Sequence, residues 1–221
     1  YMVTTVPGLD YNREDLPESV RYVGACHWTK PSGAAPPAWL DELPGDRPIV
    51  YVSEGTLPGQ EPAVLRAAAE GLADLPVTVV MTTGRGRRAE DLGLGRVASN
   101  IRIEEWVPHD DLFPRVSAVV TTGGSGTVLG ALSLGIPLVV VPMAWDQPEN
   151  AWRVREAGAG LRIPLKKCDA GSLRHAVTQV LNEPSFRENA QRVENELAHS
   201  GGPPYAAELL EDLVNRTTDP G

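Results

Sequence analysis

The residues with the most chemical potential lie between Ser117 and Asn150. A short apolar run, Ala118 to Thr121, ends in Thr122-Gly123-Gly124-Ser125-Gly126-Thr127. An Ala/Leu-rich segment follows, then a second apolar run, Ile136 to Val141, and then Asp146-Gln147. The pattern predicts strand, glycine turn, helix, strand and loop. Such a turn is where α/β proteins hold phosphate: glycines let the backbone approach, and the free N–H groups of the first helical turn face the anion. The alternative is a tight turn with no ligand, and the glycines alone do not separate the two. Gly124, Gly126 and Gly130 also spell a relaxed dinucleotide fingerprint. Here, however, the turn follows the fourth strand, and Asp146 falls well past the end of the next one, which argues against a nicotinamide or flavin site.

Two further groups belong to the same chemistry. Trp106 stands where a strand should leave the sheet, placed to stack on a nucleobase whose edge the Val107 backbone would bond; the alternative is an aromatic plug over the sheet end. Asp146-Gln147 offers acceptors and a donor suited to vicinal sugar hydroxyls; the alternative is an N-cap for the segment 147–157. No Ser/His/Asp set, metal pair or carboxylate dyad has readable spacing, so neither a catalytic base nor a metal ligand is assigned. Arg85, Arg87 and Arg88 sit in a glycine-rich loop that reads as solvated.

The elements that must position these residues are regular from Pro48 onward. Strands are predicted at Ile49–Ser53, Val77–Thr82, Ile101–Trp106, Ala118–Thr121, Ile136–Val141 and Gly160–Pro164. Helices are predicted at Pro62–Leu72, from Asp110 or Asp111 to Phe113, after Thr127, at Ala151–Ala157, and at Ala170–Leu181, Ser185–His199 and Pro204–Arg216. Strands alternating with helices imply a Rossmann-like α/β fold: a parallel six-stranded sheet with helices on both faces. The strands are apolar on both faces, as covered strands should be. Ligands in such sheets sit beyond the carboxyl ends of the strands, which gathers Ser53–Thr56, Thr82–Gly84, Trp106–His109, Thr122–Thr127 and Met143–Gln147 on one edge.

Residues 1–47 are less regular. Met2–Val6 is a stray apolar run, Val20–Gly24 a short strand, Lys30–Pro37 a proline-dense linker, and Ala38–Leu43 one or two helical turns. This segment reads as the end of an upstream domain plus an interdomain linker, ahead of a ligand-binding domain over 48–221. The net charge of −9, from 20 Lys+Arg against 29 Asp+Glu, argues against a general nucleic-acid binder. Cys26 and Cys168 are isolated and read as idle thiols in a reducing compartment. With no apolar run of about 18 residues and no basic leader, the expectation is a cytoplasmic chain without a membrane span.

Over residues 48–214 the chain resembles the C-terminal domain of GT-B glycosyltransferases, in the UDP-glycosyltransferase-like branch that decorates bacterial macrolides and related natural products. The segments that carry the likeness are WVPHDDL (106–112), TTGGSGT (121–127), GIPLVVVP (135–142) and DQPENAWRV (146–154). The resemblance implies half of a GT-B fold that binds a UDP- or dTDP-sugar as donor substrate, with no cofactor and no metal. By position, Trp106 and Val107 would hold the base. Thr122, Gly123, Gly124, Ser125, Gly126 and Thr127 would hold the diphosphate, and Ser53, Thr56, Asp146 and Gln147 the donor sugar. The histidine base of the family lies in the other domain, so the chain would bind nucleotide without turnover, its acceptor being a small molecule held by the whole protein. Two positions depart from the family: Thr122 stands where most members have histidine, and Gly130 where many have a glutamate for the ribose. Those departures keep open a non-catalytic auxiliary partner and, further off, a nucleotide-sugar epimerase.

Overall fold

The computed structural model describes residues 1–11, 13–26, 35–55, 61–94 and 96–218. Two short strands, β1 (Met2–Val3) and β2 (Arg21–Tyr22), pair in parallel. The main sheet contains β3 (Ile49–Ser53), β4 (Thr78–Thr82), β5 (Ile101–Glu104), β6 (Ala118–Thr121), β7 (Leu138–Val140) and β8 (Gly160–Arg162). All five of its pairings are parallel, in the order β5-β4-β3-β6-β7-β8. The order reverses between β3 and β6, so the crevice of this doubly wound sheet opens beyond the ends of those two strands.

Side-chain alternation splits the core into two layers. Ile49, Tyr51, Val80, Val119, Leu138 and Val140 face one layer; Val50, Val52, Val79, Met81, Val120 and Val139 face the other. The first is covered by α3 (Ser125–Leu132), α4 (Gln147–Glu156) and α6 (Pro184–Ala198), the second by α1 (Ala63–Gly71) and α5 (Ala170–Asn182). Period-two strands buried on both sides read as unbroken Val/Ile/Leu runs, which is why the six strands were legible. A short α2 (His109–Leu112) and a terminal α7 (Gly202–Thr218) complete the helices among the described residues.

Most expected elements appear, trimmed at their ends. The strand expected from Ile136 pairs only from Leu138, because Gly135 still turns with φ +59. α4 begins at Gln147, four residues ahead of the expected start, with Pro148 in the tolerated first turn. α2 follows Pro108 and has no side-chain cap, rather than being capped by Asp110 or Asp111. α5 has the full reciprocal cap: Ser172 N–H donates to Asp169 Oδ1 at 2.7 Å, and Asp169 N–H to Ser172 Oγ at 3.0 Å.

The start of the chain is packed rather than trailing. Val6, Leu9 and Leu40 are buried in the same layer as α3, α4 and α6. Gly8 N–H donates to Glu196 on α6 at 2.8 Å, and Arg153 on α4 pairs with Asp10 at 3.0 Å. Of the proline-dense stretch 30–37, residues 30–34 lie outside the described residues.

Candidate functional site

Because every strand runs the same way, Ser53, Trp106, the 122–127 turn and the 143–147 loop lie on one edge of the sheet. Trp106 follows β5 and Asp146 follows β7, four strand spacings apart, or about 19 Å at ~4.8 Å each. The 122–127 turn lies between them, beside the switch point. That span suits a ligand with three parts in line and exceeds what a lone diphosphate needs.

The centre is the N-terminus of α3. Gly124 is its N-cap residue, with φ −60 and ψ 136, and no side chain caps the helix. The first N–H groups of a helix have no intrahelical acceptor, and here they open on the crevice side with no acidic residue in the first turn. The three glycines of the turn have different reasons to be glycine. Gly123 has φ +95, and a Cβ there would lie 2.7 Å from Val140 Cγ1, so the turn itself requires it. Gly124 and Gly126 have no positive φ, and a Cβ at either would meet nothing within 4 Å. Nothing among the described residues fills the space beside them, which leaves room for an anion to approach the backbone.

Asp146 does not cap α4. Its carboxylate accepts from Ser125 Oγ at 2.6 Å and from Asn150 Nδ2 at 2.9 Å, and Asn150 Nδ2 also lies 2.9 Å from the Gly123 carbonyl. The Ser125 hydroxyl bond, with help from Asn150, holds the Asp146 carboxyl below the usual carboxylate range, so it is ionised at neutral pH. The loop β7–α4 is thereby tied to the phosphate turn across 21 residues of sequence. Gln147 is buried, and its Oε1 accepts from Met143 N–H at 2.9 Å and Ala144 N–H at 3.1 Å, bracing that loop.

Trp106 is 47% exposed, so it is no plug over the sheet end. Arg85 lies over its ring at 4.1 Å from the centroid, and the loop carrying Arg85 is held by Gly86 N–H donating to Glu105 at 3.0 Å. Val107 beside it is buried. Ser53 is buried, and its Oγ accepts from Gly55 N–H at 3.2 Å. Thr56 lies outside the described residues. Thr122 is 2% exposed, and its hydroxyl donates inward to the Glu54 carbonyl at 3.2 Å. The structure thus brings Ser125, Gly126, Asp146 and Asn150 together and leaves the Thr122 side chain behind them.

Three residues were not singled out from the sequence. Glu54 is buried at the end of β3, and its carboxylate accepts from Val64 N–H at 2.7 Å and Leu65 N–H at 3.3 Å. It anchors the start of α1, while its burial raises the carboxyl above its ordinary range. Trp145 is 77% exposed with φ +56, the one non-glycine residue with positive φ among those described. A tryptophan held left-handed in water beside Asp146 is local strain of the kind that gathers at working sites. Asn150 lies in the DQPENAWRV segment, just ahead of the expected helix start, and no role was given to it there. Of the two thiols, Cys26 is exposed and Cys168 is half-buried, its thiol pushed up to about 11 chiefly by burial. No helix among the described residues is long and apolar enough to cross a membrane.

Comparison with known proteins identifies the fold and the family. The chain is 39% identical over 214 residues to 4'-demethylrebeccamycin synthase of Lentzea aerocolonigenes, covering 97% of this chain and 50% of that protein. The structure superposes on the calicheamicin glycosyltransferase CalG4 with a TM-score of 0.82 at 28% identity, covering 99% of this chain and 54% of the other. It superposes on the spinosyn rhamnosyltransferase SpnG complexed with thymidine diphosphate with a TM-score of 0.76 at 26% identity, covering 95% and 56%. The chain therefore spans about half the length of these relatives, and its sheet is that of a GT-B C-terminal half. Residues 67–215 match the family described as the erythromycin biosynthesis protein CIII-like C-terminal domain, and the chain belongs to that family.

Proposed function

We propose that this chain is the donor-binding half of an inverting glycosyltransferase. The whole protein would transfer a hexose from a UDP- or dTDP-sugar to a hydroxyl of a small natural product. Bare Gly124 and Gly126 at a helix N-terminus with no side-chain cap carry the reading, because among the described residues nothing fills the space an anion would take. The base stacks on Trp106, the diphosphate lies on the N-terminus of α3, and the hexose reaches Asp146, with buried Gln147 bracing the loop behind it. As the glycosidic oxygen leaves, charge grows on the diphosphate, and the fixed N–H groups of Ser125 and Gly126 stabilise it without reorganising. The acceptor hydroxyl attacks the anomeric carbon from the opposite side, and its proton goes to a base in the other half of the protein.

The auxiliary-partner reading drew on Thr122 and Gly130. Thr122 has a packing reason, since it ties β6 to β3 through Glu54, whereas a Cβ at Gly130 would make only an ordinary contact with the Phe113 ring at 3.4 Å, so packing does not require that glycine. Titration of UDP and dTDP into the 221-residue chain, followed by tryptophan fluorescence, tests the donor reading. Saturable quenching is expected from at least one nucleotide, with no sugar transfer by the chain alone. A flat response from both, with circular dichroism intact, refutes the pocket; turnover by the chain alone refutes the division of labour.

A further inference from the structure

Trp106 stands half-exposed at the carboxyl edge of the sheet, and a cation already lies on it. The Arg85 guanidinium carbon is 4.1 Å from the centre of the indole ring. The loop that carries Arg85 is stapled to the backbone just ahead of the tryptophan. Thr83 N–H donates to the Glu104 carbonyl, Gly84 N–H to the Glu105 carbonyl and Gly86 N–H to the Glu105 carboxylate, each at 3.0 Å. Gly84 and Gly86 have φ of +94 and +76, so the chain turns tightly on either side of Arg85. The loop thus fixes where the arginine starts, while its side chain can still swing away. Arg88 in the same loop pairs with Asp91 at 3.4 Å, whereas Arg85 is exposed and makes no ion pair among the described residues.

Resting on the placement of the base on Trp106 proposed above, we propose that Arg85 is a displaceable cover on the nucleobase seat and sets how tightly the base is held. Carbon atoms in contact already stand about 3.5–4.0 Å apart, so no base fits between a guanidinium and an indole 4.1 Å from each other. The side chain must leave before that face can be used. Folding over the outer face of the base does not restore what it loses. Tryptophan offers a cation the best aromatic face, and a pyrimidine with two carbonyl groups is electron-poor beside it. Each base bound therefore breaks one cation–π contact, the same one for uracil as for thymine. An anion without a base leaves the cover in place.

The test measures UDP, dTDP and pyrophosphate binding by calorimetry on the wild-type chain, Arg85→Ala and Arg85→Lys. Arg85→Ala should tighten UDP and dTDP by the same factor, about two- to fivefold, and should not tighten pyrophosphate. Loss of a positive charge by itself would weaken all three anions, so a gain confined to the nucleotides is not a charge effect. Arg85→Lys should fall between the other two chains, because a strongly hydrated ammonium holds the ring less firmly than a guanidinium. Side-chain NMR of the wild type reads the cover without any variant. The Arg85 Nε–H should be shifted upfield by the indole ring in the free chain, should move when UDP or dTDP is added, and should stay put with pyrophosphate. Nucleotides that bind with the Arg85 signal unmoved, an Arg85→Ala affinity for them no higher than that of wild type, or an equal gain for pyrophosphate each overturn the cover and leave the donor reading standing. Failure of both nucleotides to bind any of the three chains overturns the donor reading and the cover with it.

Discussion

Replacing each glycine of the phosphate turn by alanine should give opposite results one turn apart. At Gly123 a Cβ faces two penalties. Its φ of +95 is outside what an alanine adopts readily, at a cost of order 1–3 kcal/mol. The new carbon would also lie 2.7 Å from Val140 Cγ1 and 3.3 Å from the Gln147 carbonyl, and relieving such overpacking costs about 1–3 kcal/mol more. Gly123→Ala should therefore lose roughly 2–6 kcal/mol, a fall in Tm of roughly 5–20 °C for a chain of this size. Gly126 sits inside the first turn of α3 with open space where the Cβ would go. Alanine there should gain about 0.5–1 kcal/mol from helix propensity alone. The same methyl would occupy the face offered to the diphosphate, so Gly126→Ala should weaken UDP or dTDP binding at least tenfold while Tm rises. Scanning calorimetry and fluorescence titration on both variants decide it. A Gly126→Ala protein that is more stable and binds nucleotide normally would refute the assignment of that face to an anion; a Gly123→Ala protein as stable as wild type would refute the account of the turn.

Three other perturbations follow from the site. Asp146→Asn should leave dTDP binding unchanged or tighter but remove a charge-assisted bond to the sugar, cutting the preference for dTDP-sugar over dTDP about tenfold or more by calorimetry. Glu54 has a folded pKa raised above its ordinary 4.5, so the folded state holds its proton more tightly. Its stability contribution is full below about 4.5 and is lost as pH rises through the folded value; Glu54→Gln, which keeps an oxygen for Val64 and Leu65, should flatten that decline in denaturant unfolding followed against pH. Trp145→Gly relieves a left-handed conformation worth about 1–2 kcal/mol against a glycine entropy cost of about 0.5–1 kcal/mol, so a small rise in stability of about 0.5–1 kcal/mol is expected by denaturant unfolding.

What the sequence revealed and what it hid divide along a physical line. The strands were legible because burial on both faces leaves a run of Val, Ile and Leu whatever lies above or below. The gathering of Trp106, Gly124 and Asp146 on one edge was legible because parallel strands all end on the same side. The bond from Asp146 to Ser125 was not, since it depends on how far the loop after β7 bends back, which no local pattern encodes. At Asp146 the capping and ligand readings share the same residue type, and only the bond to Ser125 shows that the side chain is turned away from the helix it could cap. Thr122 reads as a phosphate contact from its place in the glycine turn; its hydroxyl turns inward and ties β6 to β3 beneath the crevice. The packing of Val6 and Leu9 was hidden for a related reason: a short apolar run bounded by Pro7-Gly8 carries no period from which to infer a partner.

The placement of Asp146 has a consequence for the order of events in the proposed reaction. An ionised carboxylate hydrogen-bonded to Ser125 stands at the edge of an anion site, so it opposes a bare diphosphate. At ~5 Å in high dielectric the repulsion is about 1 kcal/mol per unit charge, and salt reduces it further. With a hexose in between, the same carboxylate becomes an acceptor for sugar hydroxyls, and the opposition turns into a bond. On the proposed function the site would therefore favour the intact donor over the nucleotide diphosphate that transfer leaves behind, which also carries one more negative charge than the donor. A helix N-terminus alone would hold that product more tightly than the substrate and stall on it. In the proposed reaction the carboxylate beside Ser125 would correct that imbalance, which gives a reason for an acidic residue next to the proposed anion site.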